Sequence, residues 1–158
     1  MSNSILTVEQ SSAVLSQLSL KVSVDEVKTV AFQQFVDELI QVATTAVTAE
    51  GWRSAGLAAI QIGKPLSVFL VREAKNDSFQ VFINPIIEYL GEAKDVRAES
   101  CLSVPGVVGN VERHKRIRVT FLDRSGHEQR NAYDGYLARA IQHEYDHLLG
   151  ILFTSKVV

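Results

Sequence analysis

Apolar side chains recur at Val27, Ala31, Phe35, Leu39, Val42 and Ala46, three or four residues apart. That period is one face of a helix. Ser23, with Glu26 three positions on, has the form of a capping box, so the pattern predicts one long N-terminal helix opening at Ser23 and stopping at Gly51. The period then changes. Leu66 to Val71 ("LSVFLV"), Ser78 to Ile87 ("SFQVFINPII") and Ile117 to Asp123 ("IRVTFLD") are short runs rich in β-branched and aromatic residues, which predict strands, the third turning at Ser125-Gly126. Pro85 has no N–H to give a ladder, so the second run is expected to end, bulge or lie at an edge there. Helical spacing returns from about Asp134 to Leu149, with Gly150 as its stop. Tyr136, Ala140, His143 and His147 share one face of this last helix, while Leu137, Ile141 and Leu148 form another. A helix buried on two sides belongs at the centre of an α+β domain.

Composition narrows the picture. With 158 residues, 46% hydrophobic and 22% charged, the chain suffices for one domain with a core but not for two, so residues 1–158 are read as a single domain. A net charge of -2 gives no general attraction to nucleic acid or to an anionic membrane. The basic run Glu112 to Arg118 ("ERHKRIR") is read as a solvated loop leading into a strand. "MSNSILTVEQ" has no basic stretch followed by an apolar one, and no run approaches the roughly 18 apolar residues of a membrane span. The lone cysteine, Cys101, fits a reducing compartment and leaves one thiol to be explained.

The chemistry gathers in "QHEYDH", Gln142 to His147. Histidines four apart lie on one helical face and can grip one metal ion, with Glu144 about 100° round the axis beside it. The competing reading is two hydrogen-bonded core histidines. A catalytic zinc-like site takes three protein ligands and leaves a position for water. In metzincin proteases the third ligand is a histidine six residues after the second, but that place here is Phe153. The eleven residues after His147 hold no His, Cys, Asp or Glu, so a downstream glutamate is missing as well. Upstream, the strongest candidate is Cys101 in "AESCLSVPG". A lone cysteine is ordinarily a small core residue. Its neighbours, however, are the small turn-formers of a loop that brings a thiol and a backbone N–H close to an ion.

Two further motifs stand ahead of the histidines: "SAGLAAIQ" (Ser54 to Gln61) and "ESCLS" (Glu99 to Ser103). With "QHEYDH" they resemble, in order and separation, the GxGLAAxQ, EGCLS and QHExDH motifs of the peptide deformylases. "FINP" (Phe82 to Pro85) and "GNVER" (Gly109 to Arg113) add to the likeness, which runs from about Val24 almost to the end. The resemblance implies mixed short β-sheets around a central HExxH helix, with a long N-terminal helix. It also implies metal-dependent removal of the N-formyl group from the formylmethionine of new polypeptides, releasing formate. Cys101, His143 and His147 would then hold one divalent ion, Fe²⁺ by family habit, with Zn²⁺, Ni²⁺ or Co²⁺ able to substitute. By the same resemblance Glu144 carries the proton, and the Gln61 side chain and Leu102 N–H face the oxyanion. Gly56 and Leu57 meet the peptide main chain. Arg97, Glu99, Tyr136, Arg139 and Ala140, with His143, surround a pocket for the methionine. Glu99 or Asp146 is an alternative partner orienting a histidine, and Arg113 is alternatively a loop ion pair.

Two positions depart from the pattern, because Ser54 and Ser100 replace motif glycines. If those glycines need positive φ, serine brings strain of about 1 to 3 kcal/mol. The expected partners are formyl-Met nascent peptides, with no nucleic acid or membrane, and the expected setting is a monomer in the cytoplasm of a bacterium or a virus-infected bacterium. The other function classes are an HExxH endopeptidase and a non-catalytic metal-binding relative docking on peptides or ribosomes. Only "LLGILFTSKVV" follows His147, too short for an independent helix and read as a short strand or tuck. The chain thus resembles the compact deformylases, some of them viral, and weak, salt-sensitive ribosome association is expected.

Overall fold

The computed structural model describes residues 4–158. Its first helix, α1 (Val8–Leu15), has no periodic stripe to announce it and buries chiefly Leu15. The long stripe that follows is carried by two helices. Ser23 does cap a helix, its Oγ accepting from Glu26 N at 3.1 Å, but α2 (Val24–Val27) lasts only one turn. Thr29 then restarts the chain: its Oγ1 donates to Glu26 O at 2.7 Å and accepts from Phe32 N at 3.2 Å. The next helix, α3 (Val30–Thr45), turns Phe32, Phe35, Val36, Leu39 and Ala43 inward. The single helix expected from Ser23 to Gly51 is therefore broken at Thr29 and stops at Thr45. The cause is local: a threonine hydroxyl offers the backbone an alternative to the helical ladder.

Seven strands follow: β1 (Gly56–Ala58), β2 (Val68–Glu73), β3 (Ser78–Tyr89), β4 (Lys94–Cys101), β5 (Val104–His114), β6 (Arg116–Leu122) and β7 (Glu128–Asp134). All pairings between them are antiparallel, in one sheet of order β1-β2-β3-β6-β7 and a separate β4-β5 hairpin. The β3–β6 register slips between Ile83 and Ile86, as expected for a proline that cannot join the ladder. The run Glu112 to Arg118, expected as a solvated loop, instead ends β5 and begins β6, with Arg113 only 4% exposed.

The larger sheet is covered on both faces. Leu57, Val68, Leu70, Val81 and Ile83 pack against α3. On the other face Phe69, Val71, Phe82, Ile117, Val119 and Phe121 meet Ala138, Ile141 and Leu148 of the last helix, α4 (Gly135–Leu148). This sandwich explains why β2 reads as an unbroken apolar run: successive side chains point to opposite, equally buried faces. The β4-β5 hairpin closes against a smaller cluster of Cys101, Val104, Val111 and Phe153. The last residues tuck in as expected, through a single 3-10 turn at Phe153–Lys156 and a bridge between Val157 and Val111. The observed class is α+β, and no helix among the described residues is long and apolar enough to cross a membrane.

Candidate active site

Helix α4 lies central because its apolar face is pinned to the sheet, which leaves its other face to meet the hairpin. Its end is fixed by Gly150 at φ +71, where Gly150 N donates to His147 O at 3.1 Å and Ile151 N to Asp146 O at 2.9 Å. This paired closure satisfies the last carbonyls and freezes the turn that carries His147. Opposite, the β4-β5 register slips between Glu99 and Cys101, at the tight turn that presents the thiol. The metal-binding atoms of Cys101, His143 and His147 all lie within 4.8 Å of one another, and Cys101 Sγ is 3.4 Å from His147 Nε2. A thiolate and two imidazoles gathered so closely suit a borderline ion such as Zn²⁺ or Fe²⁺.

The surroundings prepare each of these three side chains. His143 Nδ1 is 2.9 Å from Glu99 Oε2. A carboxylate only accepts, so Nδ1 carries the proton and Nε2 keeps a lone pair for an ion. Glu99 is held in turn by Arg113, through Nε and Nη2 at 2.9 Å each, and by Arg139 Nη1 at 2.7 Å. Arg113 also donates to Asp146 at 2.5 Å, and Lys156 Nζ reaches the other Asp146 oxygen at 2.9 Å. Burial disfavours the Cys101 thiolate, yet His147 and His143 outweigh it and hold the thiol well below its ordinary pKa. Glu144 behaves in the opposite way. Burial dominates and lifts its carboxyl to about 7, against the pull of the two histidines. Its Oε2 is buried with no hydrogen-bond partner, an acceptor left over beside the gathered cysteine and histidines.

A cavity of about 260 Å³ opens from this cluster, lined at the reacting end by Gln61, Cys101, Leu102, His143 and Glu144. Gln61 is held from both ends, Oε1 accepting from Ala58 N at 2.9 Å and Nε2 donating to Ser103 Oγ at 3.0 Å, with Cys101 Sγ at 3.7 Å. One wall is β1, the edge strand of the sheet. Arg72 N on β2 donates to Ala55 O, and the alternation of an extended strand then turns the Gly56 carbonyl the other way, toward the unpaired edge. There Ser54 Oγ donates to it at 2.6 Å.

The structure brings most of the expected residues together, with two exceptions. Tyr136, Arg139, Ala140, Glu99 and Gly56 border the cavity along with the cluster. Leu57 does not: its side chain is fully buried against α3, and the same alternation points its main chain at Leu70 in β2. Arg97, expected beside the pocket, stays outside the cavity, two-thirds exposed and bonded to Asp95 at 2.8 Å. Arg113 is no loop ion pair but the buried centre of the charge network. Neither Ser54 nor Ser100 has positive φ, so the feared strain is absent; Asp77 and Asn84 are the non-glycine residues described in that region. Ser103, which fixes Gln61, and Thr48, Trp52, Arg53 and Ala55 of the cavity wall were not singled out, since none carries a spacing signal.

The family model for polypeptide deformylase matches residues 3–158. A peptide deformylase of Pseudothermotoga lettingae is 47% identical over 102 residues, 65% of this chain but only 58% of that protein's length. The Fusobacterium nucleatum peptide deformylase is 38% identical over 144 residues, 91% of this chain and 78% of that one. A Met-Ala-Ser-bound peptide deformylase of Acinetobacter baumannii superposes with a TM-score of 0.86 at 28% identity, covering 99% of this chain and 100% of the other. A match spanning nearly every residue, on a fold that holds a cysteine and an HExxH pair around one point, places this chain in the polypeptide deformylase family.

Proposed function

We propose that this chain hydrolyses the N-formyl group from formylmethionyl peptides, releasing formate. The observation that carries the reading is Glu144: a buried carboxyl with one unpartnered oxygen, beside three gathered metal-binding atoms and an open strand edge. Cys101, His143 and His147 would hold a divalent ion, Fe²⁺ in the native enzyme. A bound ion would supply Lewis acidity and would lower the pKa of water to about 7. Glu144 takes a proton from the attacking water and delivers it to the departing amine. A carboxyl poised near neutrality is suited to both transfers. The Gln61 amide, held still by Ala58 and Ser103, and the Leu102 N–H face the developing oxyanion. Glu99 keeps the His143 ring oriented, and Arg113 and Arg139 keep Glu99 ionised.

The peptide lies extended along the open edge of β1, with Gly56 as main-chain partner, and its first side chain enters the space beside Tyr136 and Ala140. Methionine, unbranched and flexible, suits so small a cavity. Protein loaded with Fe²⁺ or Ni²⁺ without oxygen should release formate from formyl-Met-Ala-Ser and leave internal bonds whole. Cleavage of internal bonds would favour an endopeptidase instead, and binding without turnover a non-catalytic relative.

A further inference from the structure

The cavity continues past the chemistry. Its lining includes Gln61, Cys101 and Glu144 and also Thr48, Trp52 and Arg53, the last two in the stretch that leads into β1. A peptide whose formyl group sits at Glu144 and which follows the Gly56 edge therefore runs antiparallel to β1, toward Trp52. At about 3.3 Å per residue, the third residue of an extended formyl-peptide lies about 10 Å from its formyl carbon, and a large side chain there reaches several Å further, toward the stretch from Trp52 to Ala55 that precedes Gly56. First and third side chains of such a peptide point to the same side, the side on which the cavity lies.

Trp52 is the chain's one tryptophan and is 51% exposed. Its main chain is nevertheless fixed: Trp52 N donates to Thr48 Oγ1 at 3.2 Å, and Trp52 O accepts from Thr48 N at 2.8 Å. The turn between them is closed by Gly51 N to Thr48 O at 2.9 Å, with Gly51 at φ +86. An indole left half in water on a tied backbone is apolar surface presented at little entropic cost. Arg53 beside it is engaged by Asp77 at 2.6 Å, so the lip offers a flat apolar face more than a free charge.

We propose that Trp52 is a specificity-determining residue, selecting nascent peptides whose third residue carries an aromatic or large apolar side chain. This deepens the deformylase reading and rests on it. The wild-type enzyme should process formyl-Met-Ala-Phe with kcat/KM about tenfold above formyl-Met-Ala-Ser, as for a well-placed aromatic contact. Trp52→Phe should keep most of that ratio. Trp52→Ala should bring it to within about twofold of unity, with a melting curve showing the variant folded. Because the indole is unique, wild-type emission should shift to the blue on titration with the product Met-Ala-Phe, at lower concentrations than with Met-Ala-Ser. An equal substrate ratio in wild type and Trp52→Ala would overturn the proposal, as would a preference that follows the second residue in formyl-Met-Phe-Ser. Failure of the underlying reading looks different: no formate from any formyl-peptide, while Met-Ala-Phe still shifts the emission, would sink the deformylase activity and leave the Trp52 contact standing.

Discussion

Alanine at position 56 is the smallest change expected to disable the site. A β-carbon built on Gly56 would stand 2.6 Å from the Leu70 carbonyl oxygen, 2.7 Å from Glu144 Oε1 and 2.8 Å from Glu144 Cγ. Carbon contacts settle near 3.5 to 4.0 Å, so about 1 Å must be found. Leu70 is held in β2 between two neighbouring strands, which leaves Glu144 and the edge strand to yield. Overpacking of this kind costs about 1 to 3 kcal/mol. In a chain of 158 residues that corresponds to a Tm lower by about 2 to 12 °C. A catalytic group displaced by about 1 Å loses on the order of 10² in rate. Gly56→Ala should therefore remain folded, keep its metal on three untouched ligands, and release formate from formyl-Met-Ala-Ser about 10² more slowly. Turnover, metal content and melting measured on one preparation would decide it. A kcat within about threefold of wild type would refute the argument that Gly56 seats Glu144, and a raised KM with normal kcat would show that the strand had moved instead.

Glu144→Ala should keep its metal and lose about 10² to 10⁴ in turnover, since the proton carrier is gone while the ligands remain; near-normal formate release would remove Glu144 as the base. Burial raises the pKa of Glu99, but Arg113 and His143 outweigh it and hold the carboxyl below its ordinary 4.5. The stability Glu99 contributes is therefore complete above pH 4.5 and drains away as the pH falls below it. Glu99→Gln should cost about 3 to 5 kcal/mol at neutral pH and flatten the acid limb of the stability profile, and an unchanged limb in denaturant titrations would contradict this. The Fe²⁺ form should lose activity in air as the iron or Cys101 oxidises, whereas equal half-lives with and without oxygen would count against iron as the native ion.

Helix α4 was legible because its two faces, its HExxH spacing and its closing glycine all speak the language of periodicity. The hairpin β4-β5 was not. It reads Lys94-Asp95-Val96-Arg97, with no apolar alternation, and its inward side is satisfied by charge: Glu99 and Arg113 are buried because they neutralise each other, which hydropathy cannot register. Strand β7 is an edge strand with a polar sequence, and its assignment comes from its ladder with β6. The split between α2 and α3 was hidden for another reason. Ser23 and Glu26 made a valid cap, and nothing in the stripe reveals that Thr29 makes a second one a few residues later. Of the site, the trio of Cys101, His143 and His147 could be read from residue types, whereas Ser103 and Trp52 acquire meaning only once the chain has folded.

The open edge of β1 carries a hazard as well as a use. An unpaired strand will join any extended chain that reaches it, including another copy of its own sheet. Here the invitation is confined to three residues, Gly56–Ala58, and is roofed by the cavity walls that Tyr136 and the β4-β5 turn supply. An edge of three residues offers a second sheet few ladder bonds. The opposite edge, β7, is guarded differently, by exposed Glu128, Arg130 and Asp134 along its length. The sheet is thus shielded by charge on one side and by shortness on the other, and the short side is the one left free to receive a chain.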